Sequence, residues 1–294
     1  MMPIDRPGRT IRMPITEYKD GHLRRRTDEL ATEEPLEIRV VFVHAGRTIR
    51  HNVAVTMRTP GNDFELAAGF LFTEGVVADR HAITHISYCT DADQPQQYNV
   101  VNVYLRPDVP FDHERMSRHV FTTSSCGVCG KASLDLVRAA CPRRPTQTVR
   151  RPPAFFLRLP TALREAQAIF ERTGGLHAAA LFGTDGRLRL VREDVGRHNA
   201  MDKVVGALLL EGGVPASDTV VLVSGRSSFE VVQKAVMAGI PTLAAVGAPS
   251  SLAASMAQEF GMTLIGFLRD GRFNVYTGVG TLDEAAVGTS AART

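Results

Sequence analysis

"DTVVLVSGRSSFEVVQKAVMAGIPTLAAVGAPSSLAASMAQEFGMTLIGFLRD", residues 218–270, decides the fold. Three short apolar runs, Asp218–Gly225, Ile240–Ala248 and Met262–Asp270, alternate with two segments of helical period, Ser227–Gly239 and Pro249–Gly261. Strands that are apolar on both faces belong to a sheet covered on both sides. Strands separated by helices pair in parallel through right-handed crossovers. A last strand follows at Arg272–Gly278.

Upstream, "TALREAQAIFERTGG", residues 161–175, reads as one helix capped by Gly174 or Gly175. "HAAALFGTDGRLRLVRED" reads as a hairpin turning at Asp185–Gly186, and "HNAMDKVVGALLLEGG" as a helix ending in glycines. The first half is β-rich. A strand pair turns at His44–Gly46, with Val53, Val55 and Met57 alternating onto one face. A helix follows with Asn62 as its N-cap, and strands at "ITHISYC" and "QYNVVNVYL" come after it. Residues 1–34 read as a poorly ordered basic arm. The expected organisation is that arm, a β-rich part over 35–153, an α/β domain over 154–279 and a tail over 280–294. The proline- and arginine-rich stretch from Cys141 to Pro153 is the internal boundary.

Composition sets limits. The chain has 294 residues, 44% hydrophobic and 22% charged, with a net charge of +3. These are ordinary values for a globular protein and give no support for a nucleic-acid partner. No apolar run is long enough for a membrane span and the N-terminus lacks a signal-peptide core, so a cytoplasmic location is expected. No Walker lysine motif and no G-x-G-x-x-G is present.

Two places carry chemistry. The strand-to-helix junctions at Ser224–Ser228 and Gly247–Ser251 combine small residues with Ser224, Arg226 and Ser250. Helix starts beyond the carboxyl ends of such strands favour anions, above all phosphates. A third junction, "EDVGRHNAMDK" at residues 193–203, is densely polar and reads either as the lining of a site or as a salt-bridged helix start. The other place is "SSCGVCGK", residues 124–131, where Cys126 and Cys129 sit in a glycine-rich loop before a helical segment, "KASLDLVRAA". Zinc would want four ligands, and no second C-x-x-C exists. A thioredoxin-type pair would want a β-α-β unit. Persulfide chemistry fits better, because it needs an exposed, mobile and easily deprotonated thiol, and Gly127, Gly130 and Lys131 favour one.

"TMRTPGNDFELAAGFLFTEGV", "SSCGVCGK", "TGGLHAAALF", "REDVGRHNAMDKVVG", the junction-bearing stretch 224–253 and "TLIGFLRDGRFNVYTG" run in order from 56 to 278. Together they closely resemble the FdhD family of formate dehydrogenase accessory sulfurtransferases. The resemblance implies a sulfurtransferase that takes persulfide sulfur from a cysteine desulfurase. It passes that sulfur to the bis(molybdopterin guanine dinucleotide) molybdenum cofactor, a bound substrate destined for formate dehydrogenase. Cys126 would carry the persulfide and Cys129 would assist. The stretch Phe267, Leu268, Arg269, Asp270, Gly271 and Arg272 matches the family's cofactor-binding segment. The α/β part would be a cytidine-deaminase-like three-layer sheet, but the H-x-E and P-C-x-x-C helix starts of the zinc deaminases are absent. Guanine nucleotides as ligands, a homodimer and no tightly held metal of its own are further implications. A cofactor chaperone without sulfur chemistry is the alternative.

Overall fold

The computed structural model describes residues 8–89, 98–109, 111, 145–146 and 150–283. Cys126, Cys129, the "KASLDLVRAA" segment, most of the basic stretch and residues 284–294 lie outside the described residues. Two compact units are present. One takes the described residues within Met1–Val128 together with Gln167–His177 and Glu193–Gly212. The other takes those within Cys129–Ala166, Ala178–Arg192 and Gly213–Thr294. The units are built from interleaved segments, where the sequence suggested successive domains.

The first unit begins with β1 (Thr10–Lys19) and β2 (His22–Ala31), an antiparallel two-stranded ribbon. The stretch expected to be a poorly ordered arm is therefore a hairpin, turned by Asp20 (φ 52) and Gly21 (φ 82). Both central residues have positive φ, which matches the right-handed twist of the flanking strands. β3 (Glu34–His44) and β4 (Arg47–Arg58) form a second hairpin on the same kind of turn, Ala45 (φ 48) and Gly46 (φ 73). With β5 (Ile83–Tyr88) and β6 (Val100–Leu105) they make a sheet in the order β4-β3-β6-β5, in which only β3 and β6 pair in parallel. Leu36, Ile38, Val40 and Phe42 alternate into the core from β3. Val53 has no partner on β3, and this bulge interrupts the expected alternation. Val53 is buried while Val55 and Met57 are exposed.

α1 (Asp63–Thr73) lies against β6 and crosses α5 (Arg197–Leu210). The crossing is backbone on backbone. A Cβ at Gly69 would stand 1.9 Å from the Asp202 carbonyl oxygen, and one at Gly206 would stand 1.8 Å from that of Glu65.

The second unit holds a six-stranded sheet in the order β12-β11-β10-β9-β7-β8. Its strands are β7 (His177–Gly183), β8 (Leu188–Asp194), β9 (Thr219–Val223), β10 (Thr242–Ala245), β11 (Thr263–Arg269) and β12 (Arg272–Thr277). His177 and the last two residues of β8 fall to the first unit. β9, β10 and β11 are parallel as expected, and β7 and β12 flank them antiparallel. α2 (Pro153–Leu157) and α3 (Leu159–Ala166) place Phe155, Phe156, Leu159 and Leu163 on one face of the sheet, against Ala180, Phe182, Val220, Leu222, Ala244 and Ile265. Val221, Leu243 and Leu264 point the other way by the period of two, and they too are fully buried. α6 (Phe229–Met237) packs on α7 (Ser251–Glu259), and α7 packs on β11 and β12. Burial on both faces is what made the strands legible as continuous apolar runs.

The helix expected over 161–175 is two. α3 stops at Ala166, and α4 (Ala168–Thr173) begins anew after Gln167, whose ψ of 67° is not helical. The Glu193 carboxylate accepts hydrogen bonds from the Ile169 and Phe170 amides at 3.1 and 2.8 Å. It satisfies the free donors of a new helix start there.

Candidate functional site

Beyond the carboxyl ends of β9, β10 and β11, three loops are laced together by backbone hydrogen bonds. The Gly247 amide donates to the Gly225 carbonyl at 3.0 Å, and the Phe267 amide donates to the Gly247 carbonyl at 3.0 Å. The Ser227 amide donates to Ala248 at 3.2 Å, and the Ser250 amide donates to Ser227 at 3.0 Å. The spacing leaves no room for a side chain at the crossing. A Cβ on Gly247 would lie 2.9 Å from the Gly225 oxygen, and one on Gly266 would lie 2.9 Å from Pro249 Cδ.

The residues singled out at the two junctions come to this one edge but differ in what they have free. The Ser224 hydroxyl accepts from the Ala178 amide at 2.9 Å, and its own amide donates back to the Ala178 carbonyl at 2.9 Å, so Ser224 prolongs the β7–β9 pairing. Ser250 caps α7, its hydroxyl accepting from the Ala253 amide at 3.2 Å. Ser228 stands at the N-cap of α6 with no side-chain cap bond. The Ser227 hydroxyl is buried with no hydrogen-bond partner among the described residues. Arg226 is exposed, and its guanidinium makes no hydrogen bond or ion pair among them.

The Phe267–Arg272 stretch reaches the same edge. Phe267 has φ +54 at a bulge between β11 and β12. A non-glycine residue in this region costs about 1–2 kcal/mol, and the Phe267 bond to Gly247 helps to hold it there. Asp270 (φ 53) and Gly271 (φ 72) make the two-residue turn between Arg269 and Arg272. Both arginines are exposed, and Arg269 Nε lies 3.8 Å from the Asp270 carboxylate. Leu268 differs from its neighbours. It is fully buried in the core cluster, so its side chain packs the sheet. The edge thus presents the guanidiniums of Arg226, Arg269 and Arg272, an arrangement suited to an anionic ligand.

In the first unit, the polar stretch at residues 193–203 is largely a buried structural network. Lys203 Nζ lies 2.7 Å from Asp194 Oδ2, the two side chains being 1% and 0% exposed. Nζ also donates to the Thr59 carbonyl at 2.9 Å. Asp194 accepts from the amides of Thr59 and Gly196 and from the Asn199 amide group at 3.2, 2.8 and 3.0 Å. Asn199 in turn donates to the Met57 carbonyl at 2.7 Å, and Thr73 donates to Asp202 at 2.9 Å. Burial pushes the Lys203 ammonium below its ordinary range, and the Asp194 charge opposes that shift. Beside this network, Arg58 is fully buried and forks onto Asp63 with two bonds of 3.1 Å.

Arg197 and His177 remain. The Arg197 Nε is buried without a partner among the described residues. His177 is half-buried, and its imidazole is held below the usual histidine range first by burial and then by the Arg197 guanidinium. The sequence singles out Arg197 within its polar run. His177 carries only the weak signal of a histidine opening an apolar strand.

The family model described as the FdhD/NarQ family matches residues 31–283. A protein named sulfur carrier protein FdhD from Streptomyces coelicolor is 53% identical over 284 residues, 95% of this chain and 98% of that protein. One of the same name from Mycobacterium tuberculosis is 52% identical over 258 residues, 86% and 91% of the two chains. A crystal structure from Desulfotalea psychrophila, of a protein named as a candidate formate dehydrogenase accessory protein, superposes with a TM-score of 0.69 at 25% identity. It covers 93% of this chain and 99% of that one. Matches of this extent, spanning both units and every motif from Thr56 to Gly278, show that the chain belongs to the FdhD/NarQ family.

Proposed function

We propose that this protein is a sulfur carrier for the maturation of formate dehydrogenase. The observation that carries the reading is the arginine-bearing edge formed by Arg226, Arg269 and Arg272 around the laced loops of β9–β11. It supports the bis(molybdopterin guanine dinucleotide) molybdenum cofactor as the bound substrate, with Ser224, Arg226, Ser250 and Phe267–Arg272 around it and Leu268 acting from the core. Pyrophosphates suit guanidiniums and helix starts, and the glycine crossings let backbone approach closely. The names of the relatives support sulfur as the cargo.

In this reading the Cys126 thiolate attacks the outer sulfur of a persulfide on a cysteine desulfurase. The Cys126 persulfide forms and the donor leaves as a thiolate. Cys129 then attacks the inner sulfur. A Cys126–Cys129 disulfide forms, the outer sulfur departs as hydrosulfide for the cofactor, and a cellular dithiol reduces the disulfide. The reading places the protein in the cytoplasm as a homodimer. The sheet order with antiparallel β7 beside three parallel strands supports a cytidine-deaminase-like fold for the second unit.

The test is mass spectrometry after incubation with a cysteine desulfurase and cysteine, alongside calorimetry with GDP. One added sulfur on the Cys126 peptide is expected, absent in Cys126→Ala. Arg226→Ala is expected to weaken GDP binding by about 1.5–3 kcal/mol. GDP binding with no sulfur on any cysteine would leave a chaperone in place of the carrier.

A further inference from the structure

The β1–β2 hairpin is a two-stranded sheet, and β2 pairs with nothing but β1 among the described residues. Such a ribbon is marginal alone in water and gains from a third strand. Its base is held: the Arg172 guanidinium on α4 pairs with Glu29, and the Thr32 amide donates to the Arg9 carbonyl at 2.9 Å. Its outer part is not, and every residue from His22 to Thr27 is exposed. Tyr18 and Leu23, directly opposite across the strands, are each 72% exposed.

The two edges differ. A two-residue turn makes Lys19 and His22 a hydrogen-bonded pair, and pairs alternate from there. The outward-facing backbone groups are therefore those of Tyr18, Thr16 and Pro14 on β1, and of Leu23, Arg25 and Thr27 on β2. Pro14 has no amide to offer, which breaks the β1 edge. The β2 edge is continuous.

Charge separates the possible occupants. Arg26 binds Glu17 and Asp28 at 3.1 Å each, and Arg172 takes Glu29. Lys19, Arg24 and Arg25 are left exposed with no side-chain hydrogen bond or ion pair among the described residues, against Asp20 in the turn. A second copy of this edge would set arginine against arginine. A lipid surface or a nucleic acid would meet the charge but leave the row of backbone donors and acceptors unpaired.

We propose that β2 is a docking edge for an extended acidic segment of a partner protein, which adds as a third strand along Leu23–Thr27. Its backbone pairs with Leu23, Arg25 and Thr27, and its carboxylates meet Arg24 and Arg25 on opposite faces. The experiment uses the full chain and a fluorescent synthetic peptide of repeating Glu-Glu-Val-Val, which as a strand carries carboxylates on both faces, with repeating Lys-Lys-Val-Val as control. Binding of the glutamate peptide alone is expected, weakening as salt rises, with slowed hydrogen exchange at the amides of Leu23, Arg25 and Thr27. Arg25→Pro, which removes an outward amide and leaves the β1 ladder intact, and the pair Arg24→Glu with Arg25→Glu should each lower affinity at least about tenfold. Failure of the glutamate peptide to bind overturns the proposal, as does equal binding of the lysine peptide or binding that Arg25→Pro does not change. Binding instead to phosphatidylglycerol vesicles or a single-stranded oligonucleotide, lost on charge reversal, overturns it in favour of that ligand.

Discussion

Lys203 brings an ammonium into the interior to meet Asp194 at 2.7 Å. Desolvating two ions costs several kcal/mol each, so the pair is a device for fixing geometry more than a source of net stability. Removing one partner strands the other. Lys203→Ala should lower stability by about 3–5 kcal/mol in urea denaturation. The double variant Lys203→Met with Asp194→Leu should cost clearly less than the two single changes added together. His177 gives a pH signature. Its imidazole is held below the ordinary 6.5 by burial and then by Arg197. Above that value both folded and unfolded chains leave it neutral. As pH falls through 6.5 the unfolded chain takes up a proton that the folded chain resists, so stability drops. His177→Gln lacks that uptake. The melting temperature of wild type relative to His177→Gln should therefore fall between about pH 7.5 and about pH 5.5, and a constant difference would refute the assignment.

The crossing of α1 and α5 depends on Gly69 and Gly206. An added Cβ would enter a backbone carbonyl of the facing helix, which cannot give way as a flexible side chain could. Gly206→Ala should destabilise by about 3 kcal/mol or more, where a surface glycine in a helix would gain from the same change. Chemical denaturation of the purified variant measures it. Neither glycine could be picked out in advance, because a helix records in its sequence which face is apolar but not how near its neighbour comes. The strands of the second unit were legible because their apolar runs need no partner to be recognised. The β1–β2 hairpin was not. Arg24, Arg25 and Arg26 in a row have no period, and neither face of the ribbon is buried to impose one. The polar run at 193–203 stands out in the sequence but fits two roles, site lining and salt-bridged helix start. Its carboxylates and lysine proved to be mostly internal partners, a distinction that depends on Thr59 and Met57, far away in the chain.

At the scale of the whole chain, the described backbone passes between the units at 166/167, 177/178, 192/193 and 212/213. The domain that the sequence suggested over 154–279 therefore contains α5 without α1. The α5 backbone at Asp202 and Gly206, which meets Gly69 and Glu65 of α1, would lose that cover on such a fragment. The fragment should show no single cooperative melting transition by circular dichroism, and proteases should cut it within 193–212. A sharp transition and resistance there would show that it folds alone.

The positive-φ turns at Asp20–Gly21, Ala45–Gly46 and Asp270–Gly271 bear on the time course of folding. Each closes a ribbon over two residues, and ribbons of this kind zip in about 1–10 μs. The parallel pairing of β3 with β6 joins Glu37 to Val100 and must wait for distant chain. During synthesis, the roughly forty residues between β4 and β6 take about 2–8 s to emerge. For those seconds β3 and β4 stand as a finished ribbon with an open inner edge, waiting for the strand that will become its neighbour. The speed of translation through that interval sets how long the nascent protein is exposed to the wrong partner.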